Sequence, residues 1–198
     1  MKKFKNKYRI LSARLQNWDY GAAALYFITI CTQNRVCYFG DVWNGHMQLS
    51  ETGKIVESEW EKTFEIRQDM NVWQGECVVM PNHFHAIIGI GENQYNTVRG
   101  AADDGVDGRD AMHRVSTGHA NTDATPKNQF GPQSKNLASI IRGFKSAVTM
   151  GARNIVPGFQ WQSRFYDHII RNDNAHKRIS EYIINNPANW NNDKFYSE

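Results

Sequence analysis

The chain of 198 residues lacks any long hydrophobic run. No apolar segment approaches the roughly 20 residues that a helix needs to cross a bilayer, so we expect a soluble protein with no membrane partner. Residues 1–21 are basic, but they lack the continuous apolar stretch and the small-residue cleavage site of a secretory signal. We therefore expect no export.

Cysteine is scarce, and the cysteines that are present follow no recognised pattern. Cys31, Cys37 and Cys77 are odd in number and have no zinc-type spacing. This usage favours a reducing compartment over a disulfide framework. We expect a cytoplasmic protein.

Acidic residues are missing from residues 1–14 and sparse in residues 137–178, where basic side chains dominate. The net charge of +3 is modest, so the distribution is more informative than the total. Two basic segments could bind a phosphate backbone, although solvated surfaces explain them equally well. The candidate DNA contacts are Arg14, Arg142, Lys145 and Arg164.

Four segments are typical of β-strands because they are rich in aromatic and β-branched residues. The first of them is nearly continuous in such residues, as in a strand at the centre of a sheet. The turn Pro81-Asn82 joins two neighbours that would pair antiparallel. The predicted strands span residues 24–32, 72–80, 83–90 and 159–170, and Asn44-Gly45 marks a hairpin within residues 36–49.

Three segments carry the periodicity of amphipathic helices. In residues 51–66 the apolar side chains recur every four positions, with acidic residues between them. Residues 134–150 show the same spacing, with Ser134 available as the N-cap. A last helix is predicted to begin at Asp173 and to stop before Pro187.

Residues 91–133 differ in composition, being rich in Gly, Asp, Asn and Thr and poor in large aliphatic residues. This composition predicts one long flexible loop. We therefore expect residues 1–198 to form a single domain, with a basic N-terminal arm at residues 1–20. His113 and His119 in the loop are expected to be ordinary solvated side chains.

Two histidines stand inside the apolar run of residues 78–90. A buried imidazole is costly unless it has a partner. Side chains two apart on a strand face the same way, and their α-carbons are about 6.5 to 7 Å apart, so His83 and His85 could hold one ion. Without a cysteine nearby, the pair favours Mg, Mn or a similar ion over structural zinc. Buried, hydrogen-bonded histidines without a metal are the alternative.

Arg178, Tyr182 and Asn186 are spaced by four and lie along one stripe of the predicted last helix. The amide oxygen of Asn186 could be a third metal ligand, or the amide could cap the helix. Tyr182 could be a core residue with a hydrogen-bonded hydroxyl, or it could act beside the histidines.

Several motifs together resemble one known family. MPNHFHAII resembles the HUH motif (His, a bulky hydrophobic residue, His) of the single-tyrosine transposases, and ISEYIINNPANW resembles their nucleophile helix. WQSRFYDHIIRN and RLQNWDYGAAALYFITICTQNR resemble the branch called REP-associated tyrosine transposases. The resemblance runs from about Arg14 to Trp190, interrupted only by residues 91–133. Separated motifs in the right order are more specific than any one alone.

This resemblance implies an α+β fold with a ferredoxin-like antiparallel sheet, helices packed on it and the HUH motif on a central strand. It also implies an enzyme that cuts and rejoins single-stranded DNA near hairpins. The implied cofactor is a divalent metal ion, Mg or Mn, held by His83, His85 and Asn186. Relatives include dimers and forms that act alone, so a homodimer is one open arrangement.

The resemblance assigns the chemistry to Tyr182, which would attack a DNA phosphate and displace a 3′-hydroxyl. The resulting 5′-phosphotyrosine conserves bond energy for rejoining. Because free tyrosine has a pKa of about 10, the nucleophile must be activated, and the metal ion would polarise the phosphate. His168 is a candidate general base, with a structural role as the alternative.

Two other functions remain open. One is a metal-dependent nuclease in which water attacks and Tyr182 is structural. The other is a non-catalytic nucleic-acid-binding module on a similar sheet, as in RNA-recognition folds. In each case unpaired bases would stack on aromatic side chains, or those side chains would belong to the core. The candidates are Trp161, Phe165 and Tyr166.

Overall fold

A computed structural model describes residues 3–4, 7–8, 15, 18–97 and 134–196. Arg14, His113, His119 and most of the predicted loop at 91–133 lie outside these residues. Among the helices that are described, none combines the length and the hydropathy that crossing a bilayer requires.

The described residues contain eight strands and three α-helices, together with short 3₁₀ segments. In chain order the elements are β1 (Lys3–Phe4), β2 (Lys7–Tyr8), β3 (Ala24–Cys31), β4 (Gly40–Trp43), β5 (His46–Leu49), α1 (Glu51–Ile66), β6 (Val72–Met80), β7 (His83–Ile90), α2 (Leu137–Arg153), β8 (Tyr166–Ile170) and α3 (Asp173–Ile184). The 3₁₀ segments are Gln33–Arg35, Gln68–Met70 and Pro187–Asn192.

The main sheet has four antiparallel strands in the order β6-β7-β3-β8. The strand that carries His83 and His85 is β7, and it lies between β6 and β3. The pairs β1-β2 and β4-β5 form two separate two-stranded sheets. The predicted α+β fold, with an antiparallel sheet and the histidines on a central strand, is confirmed.

The sheet buries one large and one small hydrophobic cluster, one on each face. Trp60 of α1 and Phe144 of α2 pack against Phe84 of β7, with ring centroids 5.1 to 5.5 Å apart. Burying each such side chain contributes about 1.5–3 kcal/mol. On the opposite face Ile183 of α3 is buried with Phe27. Because strand side chains alternate, the histidines share that second face with α3.

The hairpin between β4 and β5 turns at Asn44-Gly45, as the dipeptide predicts. Asn44 has a φ of 49° and Gly45 a φ of 75°, the two left-handed conformations that a type I′ turn needs. The helix predicted at residues 51–66 is also confirmed as α1. Its N-cap is Ser50, whose side chain accepts a hydrogen bond from the backbone N–H of Gly53.

The predicted N-cap of α2 at Ser134 is wrong by two residues. The N-cap is Asn136, whose side chain accepts from the N–H of Ser139, while the Ser139 hydroxyl accepts from the N–H of Asn136. Lys135 has a φ of 55°, so the chain turns through a left-handed residue before the helix. This reciprocal pair leaves Ser134 outside the helix.

The strand predicted at residues 159–170 is shorter than expected, because β8 begins at Tyr166. In the preceding segment Trp161 makes one isolated bridge to Thr32. Phe159 and Trp161 pack beside Phe39 in the large cluster, at 5.9 and 5.2 Å. The alternating aromatic residues therefore reflect core contacts rather than a continuous ladder.

Candidate metal and tyrosine site

His83 and His85 stand at the start of β7 with both side chains fully buried. Their ring centroids are 4.5 Å apart on one face of the sheet, as residues two apart on a strand should be. The strand therefore brings two imidazoles together in an apolar setting.

The ring of His83 is oriented by Asn82. The amide nitrogen of Asn82 donates to the carbonyl oxygens of Phe195, at 2.8 Å, and Arg35, at 3.2 Å. Its Oδ1 therefore faces Nδ1 of His83, 2.9 Å away. An amide oxygen only accepts, so Nδ1 carries the proton and Nε2 keeps its lone pair. Among the described residues this buried Nε2 has no hydrogen-bond partner.

The ring of His85 is held at both nitrogens. Its Nδ1 lies 2.8 Å from Oγ1 of Thr29, on the neighbouring strand β3. Its Nε2 lies 3.1 Å from the hydroxyl of Tyr182, on α3. Phe27 packs against both rings, with centroids 5.3 Å from His85 and 6.1 Å from Tyr182. The ring of Phe27 thus contacts the rings of both His85 and Tyr182.

Helix α3 is fixed across the sheet by a polar contact as well as by its apolar face. The hydroxyl of Ser180 donates to Oε2 of Glu76 on β6 at 2.9 Å. Ile183, one residue after Tyr182, is buried against the sheet. Tyr182 itself is 38% exposed. Its hydroxyl therefore points into the site while part of the ring stays open to solvent.

Asp193 completes a group that could hold a metal ion. One ligand atom each from His83, His85 and Asp193 lie within 4.8 Å of one another. The amide nitrogen of Asn186 donates to Oδ2 of Asp193 at 2.9 Å, which turns the amide oxygen away from that carboxylate. Within the part of the chain that the structure describes, this buried oxygen also has no hydrogen-bond partner.

The donor set therefore fits a divalent cation. The unpaired acceptors are a ring nitrogen of His83 and the amide oxygen of Asn186, and acceptors left bare in a buried site are costly unless a cation or proton meets them. Imidazole nitrogen, carboxylate oxygen and amide oxygen are all ordinary ligands of divalent metal ions in proteins.

Electrostatics keep both imidazoles neutral, the form that binds metal. Burial first, and then the nearby charges of Lys194 and Arg35, lower the pKa of His83 to about 3. Burial also holds the pKa of His85 well below its usual range, with His83 as the next cause. Burial and then the charge of Asp193 raise the pKa of Tyr182 to about 12.

The segment after the last 3₁₀ turn covers the histidines and positions Asp193. The ring of Phe195 lies 4.6 Å from that of His83. Oδ1 of Asp193 accepts from the backbone N–H of Phe195 at 2.7 Å. Arg35 donates to the carbonyl of Lys194 at 2.6 Å and lies over the Phe195 ring. These contacts hold the carboxylate beside the imidazoles.

The other residues considered from sequence take varied positions. Asn186 is buried and caps nothing through its side chain, since the C-cap of α3 is Asn185. Arg178 is exposed on α3. His168 is exposed on β8, where it faces Phe27 across the ladder. Cys31 is buried on the neighbouring strand, directly opposite His83. The expectation that the histidines have no cysteine nearby is therefore true of the sequence and wrong for the folded protein.

The candidate DNA contacts that the structure describes differ in their exposure to solvent. Arg142 and Arg164 are exposed. The ammonium of Lys145 donates to the carbonyl oxygens of Gln162, at 2.5 Å, and Arg164, at 3.4 Å. Burial lowers the pKa of Lys145 to about 8. Its charge is therefore directed into the protein.

The aromatic residues considered for stacking with unpaired bases also differ in their exposure to solvent. Trp161 and Phe165 pack against the large cluster. Tyr166 is 56% exposed on the same face as Phe27, with ring centroids 6.3 Å apart. Of these three side chains, Tyr166 offers an open ring next to the site.

Sequence reasoning did not find Thr29, Asn82 or Asp193. Asn82 had a signal, because it precedes His83 directly and polar turn residues often orient a neighbouring side chain. Thr29 had a weaker one, as a polar residue in an apolar strand. Asp193 had none, since only the folded C-terminal segment brings it to the histidines.

Comparison with known proteins gives both a relative and a fold. No protein-family model matches the chain. An uncharacterized protein of Haemophilus influenzae is 37% identical over 186 residues, which cover 93% of this chain and 92% of the relative. The solved structure of a REP-associated tyrosine transposase bound to a REP hairpin matches with a TM-score of 0.52 and 17% identity, covering 90% of this chain and 73% of that chain. The chain thus belongs to one family with the Haemophilus protein and has the fold of a REP-associated tyrosine transposase.

Proposed function

We propose that this protein is a DNA strand transferase that cuts and rejoins single-stranded DNA through a 5′-phosphotyrosine at Tyr182. The observation that carries the proposal is the position of the Tyr182 hydroxyl, 3.1 Å from His85 and beside a group that could hold a metal ion. A tyrosine that served only to fill the core would not need its hydroxyl at a site with bare acceptors.

The proposed step is a transesterification. The phenolic oxygen of Tyr182 attacks the phosphorus of a DNA phosphodiester, and the bond from phosphorus to the 3′-oxygen breaks. The 3′-oxygen leaves as a hydroxyl after taking up a proton. The new tyrosyl phosphodiester keeps the free energy of the broken bond, so the reverse reaction with another 3′-hydroxyl rejoins the strand.

Residues around Tyr182 have separate roles in this step. The carboxylate of Asp193, with Oδ2 at 3.4 Å from the hydroxyl, is positioned to accept the phenolic proton. The ring of Phe27 packs edge to face against the ring of Tyr182 and limits its orientation. His168 has no described contact with the hydroxyl, which makes Asp193 the better candidate for the base.

His83, His85, Asp193 and Asn186 are the proposed metal ligands. A bound Mg or Mn ion would offset the charge of the phosphate and favour ionisation of the phenol. Thr29 and Asn82 hold the two imidazoles so that their Nε2 atoms face the ligand position.

The proposed substrate is single-stranded DNA next to a hairpin. The transposase with the same fold was solved with a REP hairpin, and hairpin DNA is the substrate class that we transfer to this chain. Arg142 and Arg164 are exposed and could contact phosphates, and Tyr166 offers an open ring for a base. Arg14 stays a candidate from the sequence.

A denaturing gel with labelled hairpin DNA and Mn²⁺ or Mg²⁺ tests the proposal. We expect a covalent protein–DNA band that chelator prevents and that is lost in Tyr182→Phe. Tyr166→Phe is the matched control and should keep the band. Cleavage that persists in Tyr182→Phe would instead indicate a nuclease that uses water. Binding without cleavage, indifferent to chelator, would indicate a binding module.

A further inference from the structure

Strand β6 carries a bulge on the face of the sheet against which α3 packs. The register of its pairing with β7 shifts between Gln74 and Cys77. Gly75 and Glu76 therefore both stand opposite Ile87. A β-carbon on Gly75 would lie 2.9 Å from the Ile87 side chain, so any larger residue would displace it. Bulges re-aim side chains, and this one places Glu76 opposite a residue that is buried in the small cluster beside α3.

One hydrogen bond joins this bulge to α3. The hydroxyl of Ser180, a buried residue, donates to Oε2 of Glu76 at 2.9 Å. Nε2 of His176, one turn earlier on α3, lies 3.9 Å from the same oxygen, which is beyond hydrogen-bond length. Ser180 therefore makes the specific contact, two residues before Tyr182 in the same helix.

The apolar face of α3 does little to fix its position along the sheet. Ala175, Ile179 and Ile183 recur every four residues and pack in the small cluster. Apolar burial has no direction, and a shift by one helical turn would put Ile179 where Ile183 now lies. Such a shift moves every side chain of the helix by about 5.4 Å. It would carry the Tyr182 hydroxyl out of reach of the site.

The hydrogen bond between Tyr182 and His85 is not available to hold α3 while a metal ion is bound. Nε2 of His85 has a single lone pair, and a metal ligand must share that pair with the ion. The Tyr182 hydroxyl, 3.1 Å from this nitrogen, then loses its partner there. Neither Glu76 nor Ser180 belongs to the group that could hold the ion, so their hydrogen bond does not depend on its state.

Resting on the proposed attack by Tyr182, we infer that Glu76 is a positioning residue for the nucleophile. Its hydrogen bond with Ser180 fixes α3 along the sheet, so the Tyr182 hydroxyl stays beside the DNA phosphate after His85 has released it. The carboxylate of Glu76 touches no reacting atom. It acts on the reaction through the position of the helix.

The rate of covalent-band formation on hairpin DNA with Mn²⁺ tests this role. At saturating DNA, Glu76→Ala and Ser180→Ala should each slow the reaction about 10-fold, because each removes one hydrogen bond to a carboxylate. The double variant should be no slower than either single variant, since all three lose the same contact. The DNA concentration that gives half the maximal rate should stay within about twofold.

Two further variants separate the hydrogen bond from the charge. Glu76→Gln should bring the rate back to within about threefold of the wild type, because its amide oxygen still accepts from Ser180. Glu61→Ala is the matched control, since it removes an exposed carboxylate from α1, and it should react as the wild type does. If Glu76→Ala unfolds, Ser180→Ala removes the same bond with a smaller change.

Hydrogen exchange measures the same contact without any chemistry. With Mn²⁺ added, the amides of α3 should exchange about 10-fold faster in Glu76→Ala than in the wild type or in Glu76→Gln. The amides of β3, which does not contact Glu76 through this bond, should exchange at the wild-type rate and serve as the internal control.

Wild-type rates in both Glu76→Ala and Ser180→Ala would overturn the inference, as would unchanged exchange of α3 or a Glu76→Gln variant as slow as Glu76→Ala. The two assays distinguish this inference from the proposed function. Faster exchange of α3 in Glu76→Ala, with no covalent band even in the wild type, would support the positioning contact and contradict the transferase. A covalent band that forms equally fast in Glu76→Ala would do the reverse.

Discussion

The hydroxyl of Tyr182 meets Nε2 of His85 at 3.1 Å although the two residues are 97 positions apart in the chain. The contact forms because β7 turns His85 towards the face on which α3 packs. Phe27, on the adjacent strand, supports both rings. The proposed nucleophile and the candidate metal ligands are thereby joined through the sheet and not through a contiguous motif.

Replacing the proposed ligands should weaken metal binding. His83→Ala and Asp193→Asn each remove one donor of the group, so we expect Mn²⁺ affinity to fall by about 100-fold or more in isothermal titration calorimetry. His168→Ala is the control, since His168 lies on the same face but outside the group. Unchanged Mn²⁺ affinity in both ligand variants would contradict the metal site.

Thr29→Val should affect both the metal site and stability. The change removes the partner of Nδ1 in His85 while keeping the shape of the side chain. We expect Mn²⁺ affinity to fall about 10–100-fold and the free energy of unfolding to fall by about 1–3 kcal/mol, because a buried polar atom loses its bond. Calorimetry and urea denaturation measure the two effects.

The control for this change is Thr63→Val. Thr63 is also a buried threonine, and its hydroxyl donates to the Glu59 carbonyl within α1, away from the histidines. It should lower stability and leave Mn²⁺ affinity unchanged. If both threonine variants bind Mn²⁺ as the wild type does, Thr29 does not orient the ligand.

The N-terminus of α2 should depend on Asn136 and not on Ser134. Asn136→Ala breaks the reciprocal pair with Ser139, so we expect a loss of about 0.5–2 kcal/mol in the free energy of unfolding. Ser134→Ala should stay within about 0.5 kcal/mol of the wild type. Urea denaturation of the two variants distinguishes them, and a larger loss for Ser134→Ala would refute the assigned cap.

The basic residues should separate into DNA contacts and structural contacts. Arg142→Gln and Arg164→Gln should each reduce the slope of log affinity against log salt by about 1, because each removes one exposed cation. Lys145→Gln should instead lower the free energy of unfolding, since its ammonium bonds two backbone carbonyls. Fluorescence anisotropy across a salt series measures these slopes. If Lys145 contacted DNA, Lys145→Gln would reduce the slope more than either arginine variant does.

Local signals in the sequence were sufficient where one short segment decides the structure. The runs that became β3, β6 and β7 are rich in apolar and β-branched residues, and Asn44-Gly45 permits the two positive φ angles of its turn. The signal failed at residues 159–165, where aromatic residues alternate because they enter the core beside Phe39.

The sequence by itself determined that His83 and His85 face the same way, because side chains two apart on a strand must do so. It also determined that Tyr182 and Asn186 follow one another along a helix. Only the tertiary structure decided that α3 packs on the face with the histidines and that the C-terminal segment returns Asp193 to them. Those placements depend on burial of Ile183 against the sheet and on hydrogen bonds between residues far apart in the chain, which no local pattern encodes.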